Sequence, residues 1–153
     1  AKDHNTLMVW EGSRAVGYLI DFGTSLGASA SEGPKKPCQG WRYDVDVKDG
    51  LLELLTLGLY TGGCDPKEQV VSPAVGLFSP RLDPRRWKPY APNLAFEVMT
   101  HADGRWMASK IATLSRAHLA AAVAAGHYQN QADADRILDI LEARRRAIME
   151  AYL

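Results

Sequence analysis

The chain has 153 residues, 46% hydrophobic and 24% charged, with 18 basic and 18 acidic side chains that cancel. That balance excludes a disordered tail, which carries fewer apolar residues, and removes the basic surplus of a typical nucleic-acid binder. No run approaches the ~20 apolar residues of a membrane span, and Ala1-Lys2-Asp3-His4-Asn5 lacks the order of a signal peptide.

A single cytoplasmic domain over 1–153 is therefore expected. The first residue is not Met and a strand begins within ten residues, so the chain reads as the C-terminal part of a longer one. Leu7 to Trp10 and Ala15 to Ile20 predict a β-hairpin around a four-residue loop, Glu11-Gly12-Ser13-Arg14. Centred near Ser13, that hairpin would oppose Asn5 to Asp21 at its open end. Residues 23–40 are rich in Gly, Ser, Ala, Pro and Lys and predict a long irregular loop. Cys38 and Cys64 could form at most one disulfide; with no C-x-x-C pair, two free thiols are expected.

Asp49 can cap a mostly buried helix over Gly50 to Leu59, ended by Gly62-Gly63. Residues 64–92 hold six of the eight prolines and predict an extended segment wrapping the core. Asn93 opens a short helix through Met99, and Thr100 with Asp103 has capping-box spacing before a third helix. Ser115 starts a fourth, stopped by Gly126 as a left-handed cap. Asn130 starts the last, with Ile137, Leu141, Ile148 and Tyr152 on one face. The fold class is thus α+β, mainly α, an N-terminal β-hairpin packed on a helical body.

The chemistry-bearing stretch is Asp3-His4-Asn5-Thr6-Leu7-Met8-Val9, then Leu19-Ile20-Asp21-Phe22-Gly23-Thr24-Ser25-Leu26-Gly27. A nucleotide-dependent phosphotransferase needs a carboxylate to hold Mg²⁺ against the phosphates, and a neutral amide can take a second metal. At these residues the chain resembles the protein-kinase-like superfamily, most closely its phosphatidylinositol-kinase-like branch. That branch carries D-R-H-x-x-N, a hairpin, and apolar-I-D-F-G-x-x-L-G.

The resemblance covers about residues 3–27. It implies a kinase-like C-terminal lobe in which Asp21 and Asn5 bind Mg²⁺ and Phe22 and Gly23 adjoin bound ATP. His4 would orient the catalytic loop. Its implied partners are a nucleotide, a phosphoryl acceptor of unknown class and a missing N-terminal lobe, with no nucleic acid and no membrane span. The family's catalytic aspartate would lie one position ahead of Ala1. Taking Asp3 for that role instead puts the metal asparagine on Met8, which cannot bind Mg²⁺. The Gly-rich phosphate loop and the ATP-binding lysine are absent as well, so this fragment is expected to be inactive by itself.

The alternative from another class is a non-catalytic α-rich interaction or scaffold domain. Arg81, Arg85, Arg86 and Lys88, interleaved with Trp87 and Tyr90, could contact phosphates. The four prolines at 80, 84, 89 and 92 favour instead a stiff surface loop anchored by Trp87, with its cations in water. Asp44-x-Asp46-x-x-Asp49-Gly50 fails as a calcium loop, since its twelfth position is Leu55, and reads as an acidic strand or helix cap. Arg144 to Arg146 read as a solvated helix face, with Glu142 and Arg146 one turn apart.

Overall fold

A computed structural model describes residues 6–19, 38, 40–43, 45–62, 64, 72, 75–89 and 92–153. Strands β1 (Thr6–Glu11) and β2 (Arg14–Leu19) form an antiparallel hairpin. The turn is the two residues Gly12 and Ser13, shorter than expected, because Glu11 pairs with Arg14. Gly12 takes φ 63°, the left-handed conformation that a tight hairpin turn requires at its first position. Side chains from 7 to 18 are exposed except for half-buried Val16, so the ribbon is not sunk into the helical body as expected. Its pattern explains this: apolar residues occupy both faces, and neither face is selected for burial.

Helix α1 is Val47–Leu55, capped by Asp46, whose carboxylate accepts from the Asp49 N–H at 3.0 Å. The cap sits three residues before the expected one. The helix ends at Thr56, beyond which Leu57 (φ 51°) and Gly58 (φ 84°) turn the chain, so Gly62-Gly63 does not end it. Nor is α1 mostly buried. Leu51, Leu54, Leu55 and Leu59 are all exposed. The helix is held by its polar N-terminal turn, and its leucines contribute little to that attachment.

Four helices follow: α2 (Leu94–Glu97), α3 (His101–Ala112), α4 (Arg116–Ala124) and α5 (Gln131–Tyr152). Each starts at the side-chain cap expected of it, Asn93, Thr100, Ser115 or Asn130, and each such cap contributes about 1 kcal/mol. The Thr100 and Asp103 box is complete, and in α4 His118 Nδ1 accepts from the Ser115 N–H to close a second one. The left-handed residue after α4 is His127 (φ 48°), not Gly126. Gly126 is needed for space: a Cβ there would meet the Tyr128 ring at 2.8 Å and the Val123 carbonyl at 3.1 Å.

Helix α5 organises the core. Ile137 and Ile140 pack with Val123 of α4 and with Val75 and Phe78 of the proline-rich segment. That segment, where described, wraps the helix as expected: Ser72 Oγ donates to Asp133 Oδ2 at 2.8 Å and Arg144 Nε to the Ser79 carbonyl at 2.7 Å. Arg144 also lies 4.4 Å above the Phe78 ring, and Arg145 donates to the Ala112 carbonyl at the end of α3. Arg144 and Arg145 therefore tie elements together, while Arg146 is exposed, as expected of the whole run. Glu142 pairs with Arg145 at 3.3 Å in place of Arg146. Helices α3 and α5 approach closely because Gly104 faces Tyr152; a methyl at Gly104 would overlap that ring.

Cys38 and Cys64 form a disulfide with Cα atoms 5.2 Å apart, and no described cysteine is free. The expectation of two thiols fails because the fold returns the chain to Cys38 after 26 residues, a proximity that loop composition does not encode. No described helix is long and apolar enough to cross a membrane.

Candidate functional site

Two regions carry chemistry-capable groups. The first is the hairpin leading into Ile20-Asp21-Phe22-Gly23. Its ladder runs from Glu11↔Arg14 to Thr6↔Leu19, one residue out of step with the expected pairing. On one face Tyr18 Oη donates to Glu11 Oε1 at 2.6 Å, which raises the phenol pKa, and Arg14 lies 3.5 Å from the same carboxylate. On the other, Trp10 and Met8 stand exposed, Met8 Sδ lying over Gly17. Asp3, His4, Asn5, Asp21, Phe22 and Gly23 lie outside the described residues, as does the expected opposition of Asn5 and Asp21.

The second region is built where α1 meets the 81–89 segment. Asp46 and Asp49 sit at the cap and in the first turn of α1, where helical geometry brings their carboxylates together. Lys88 Nζ reaches both, at 2.6 Å from Asp46 Oδ2 and 3.2 Å from Asp49 Oδ2, and lies 5.1 Å from the Tyr43 ring centre. Tyr60 Oη donates to the remaining Asp49 oxygen at 3.2 Å. The Lys88 hydrogen bond holds the Asp46 carboxyl below its ordinary pKa. Burial alone would lower the Lys88 pKa, but its bonds to the two carboxylates outweigh that and raise it. Lys88 is thus part of the framework, contrary to the expectation of a cation in water. Asp46 is the helix cap that the failed calcium-loop pattern left as the alternative.

Beside this cluster opens a cleft of about 240 Å³, whose walls include Trp41, Tyr60, Trp87, Arg85 and Arg86. Arg85 donates from Nε (3.1 Å) and Nη2 to the Ala151 carbonyl, near the C-terminus of α5, where the helix dipole favours a cation. Arg86 donates from Nη2 to the Gly62 carbonyl at 3.3 Å. Trp87 packs on Phe96 at 5.1 Å and closes over Gly40, where a Cβ would come within 2.9 Å of the indole nitrogen. Gly40 also has φ 93°, so both conformation and space demand glycine there.

The basic and aromatic residues of 81–88 are visible in the sequence, but there they fit a stiff loop anchored by Trp87 with its cations in water. The walls contributed by Trp41 and Tyr60 had no local signal, because they come from separate loops joined through the disulfide. Among the described residues no group of three or more His, Cys, Asp or Glu side chains could hold a metal ion. Neither a family model, nor a curated protein, nor a solved structure matches the chain.

Proposed function

We infer that the chain is the C-terminal lobe of an ATP- and Mg²⁺-dependent kinase-like phosphotransferase, inactive without its N-terminal lobe. The observation that supports this is the order of elements: a tight antiparallel ribbon, Thr6–Glu11 with Arg14–Leu19, running directly into Ile20-Asp21-Phe22-Gly23 and followed by a helical body. The donor chemistry fits: a carboxylate and a neutral amide oxygen are hard ligands suited to Mg²⁺. In this reading Asp21 and Asn5 hold the metal, Phe22 and Gly23 shape the turn beside the nucleotide, and His4 orients the preceding loop. Bound MgATP would supply the γ-phosphoryl group, and the chain's own contribution would be positioning and charge neutralisation.

The observed register sets a condition on this proposal. Continued past Thr6↔Leu19, the ladder would oppose Asn5 to Ile20 and turn Asp21 to the other face. The two ligands converge only if the chain leaves the ladder before Asp21. Titrating the chain with Mn²⁺ and following NMR line broadening tests this directly. Broadening should centre on residues 5 and 21 and vanish in Asp21→Asn; broadening unaltered by the substitution would reject Asp21 as ligand. In the parent protein the same substitution should abolish Mg²⁺-dependent ATP turnover.

The second reading, an interaction or scaffold domain, draws on the exposed leucines of α1 and the two apolar faces of the hairpin, surfaces larger than isolated solvated residues explain. It predicts no Mn²⁺ effect localised to Asn5 and Asp21.

A further inference from the structure

We propose that the cleft between α1 and the 81–89 segment binds a small aromatic acid, its anionic group on Arg86 and its ring against Trp41 and Trp87. The charges around the cleft favour an anion. Lys88 is already committed to Asp46 and Asp49, so this trio carries a net negative charge, which Arg85 and Arg86 together exceed. Arg85 spends two donors on the Ala151 carbonyl. Arg86 is exposed and gives a single donor to Gly62, leaving most of its planar fork to meet a carboxylate or phosphate in the two-point geometry that arginine favours.

The aromatic walls specify the rest of the ligand. Trp41, Tyr60 and Trp87 line the same space as the guanidinium groups, and planar rings stack or pack edge-on against such surfaces. At about 240 Å³ the cleft falls below the ~300–1,000 Å³ of drug-sized sites, which points to one ring bearing one acidic group.

The site is also pre-organised. The disulfide joins the loop carrying Trp41 to the loop carrying Tyr60 and Gly62, and each cysteine anchors a tight turn. The Trp41 N–H donates to the Cys38 carbonyl at 3.1 Å and the Cys64 N–H to the Thr61 carbonyl at 3.0 Å. Walls fixed before binding lose little entropy when the ligand arrives, which favours recognition of a small molecule.

The probe is phenyl phosphate, titrated against the oxidised chain by calorimetry and tryptophan fluorescence, with inorganic phosphate and phenol as its two halves. Phenyl phosphate should bind at least tenfold tighter than either half. Arg86→Gln, at an exposed position, should weaken it about tenfold and flatten its salt dependence. Trp41→Leu should weaken phenyl phosphate while leaving the feeble binding of inorganic phosphate unchanged. Equal affinity for phenyl phosphate and inorganic phosphate, or an Arg86→Gln chain that binds as the parent does, overturns the proposal.

Discussion

The C-terminal helical body and the α1 region are stabilised in different ways. Around α5, Ile137 and Ile140 are almost wholly buried, and side-chain caps begin every helix from α2 onward. Around α1, most leucines face solvent, and attachment comes from a disulfide, an Asp–Lys–Asp cluster and a tyrosine hydroxyl. Apolar burial is non-directional and tolerates small shifts; covalent and ionic ties fix a few atoms and leave the surface free. The difference teaches that α1 is located by its polar end, with its leucine face left available.

The sharpest way to break the first half of that contrast is Ile137→Ala. Removing a fully buried side chain from the centre of the core should cost about 3–4 kcal/mol, measured by urea denaturation followed through helical circular dichroism. A loss under about 1 kcal/mol would move the core elsewhere.

The disulfide tests the other half. It closes a separation of 26 residues, for which the chain-entropy relation gives about 3.5 kcal/mol. Replacing both cysteines with serine should lower amide-exchange protection around α1 and the 81–89 segment while leaving α4 and α5 nearly unchanged. Thiol labelling of the native chain should find no free sulfhydryl until reductant is added.

Lys88→Met comes next, at about 2–3 kcal/mol, because it strands two carboxylates beside each other. The same cluster sets a pH window. Asp46 has a lowered folded pKa, so its contribution is present above the ordinary carboxyl value of about 4 and is lost as pH falls through the folded value. Lys88 has a raised folded pKa, so its contribution is present below about 10 and is lost as pH rises through the folded value. Stability of the α1 region should therefore be flat between about pH 5 and 9 and fall on both sides, and Lys88→Met should remove the alkaline limb.

The smallest effect belongs to Leu55→Lys. This side chain is 71% exposed, so the substitution should change stability by no more than about 0.5 kcal/mol. A loss of 2 kcal/mol or more would show that the leucine face is covered within the chain and would erase the contrast.

Much of the helical body was legible because its signals are local. Asn93, Thr100, Ser115 and Asn130 each satisfy backbone donors within three residues, so type and spacing suffice to mark a helix start. The hairpin was legible as a pair of strands, but its register was not: centring the turn on Ser13, and not between Gly12 and Ser13, shifts every cross-strand partner by one residue, and both centres fit the same apolar runs. The exposure of α1 is not legible for a related reason, since leucines at helical spacing define a stripe without saying what meets it. At the segment proposed to bind metal, Asn5 and Asp21 can be read from the sequence, while their mutual geometry lies outside the described residues.

What the sequence determined alone is where helices begin, which face of α5 is apolar, and the chemical identity of the candidate metal ligands. These depend on contacts a few residues apart, which the order of the chain fixes directly. Only the tertiary structure decided that Cys38 meets Cys64, that Lys88 bridges Asp46 and Asp49, and that Trp41, Tyr60 and Trp87 share one cleft. Those partners lie from 19 to 46 residues apart, and bringing them together depends on how the whole chain closes its loops, a property no local pattern carries.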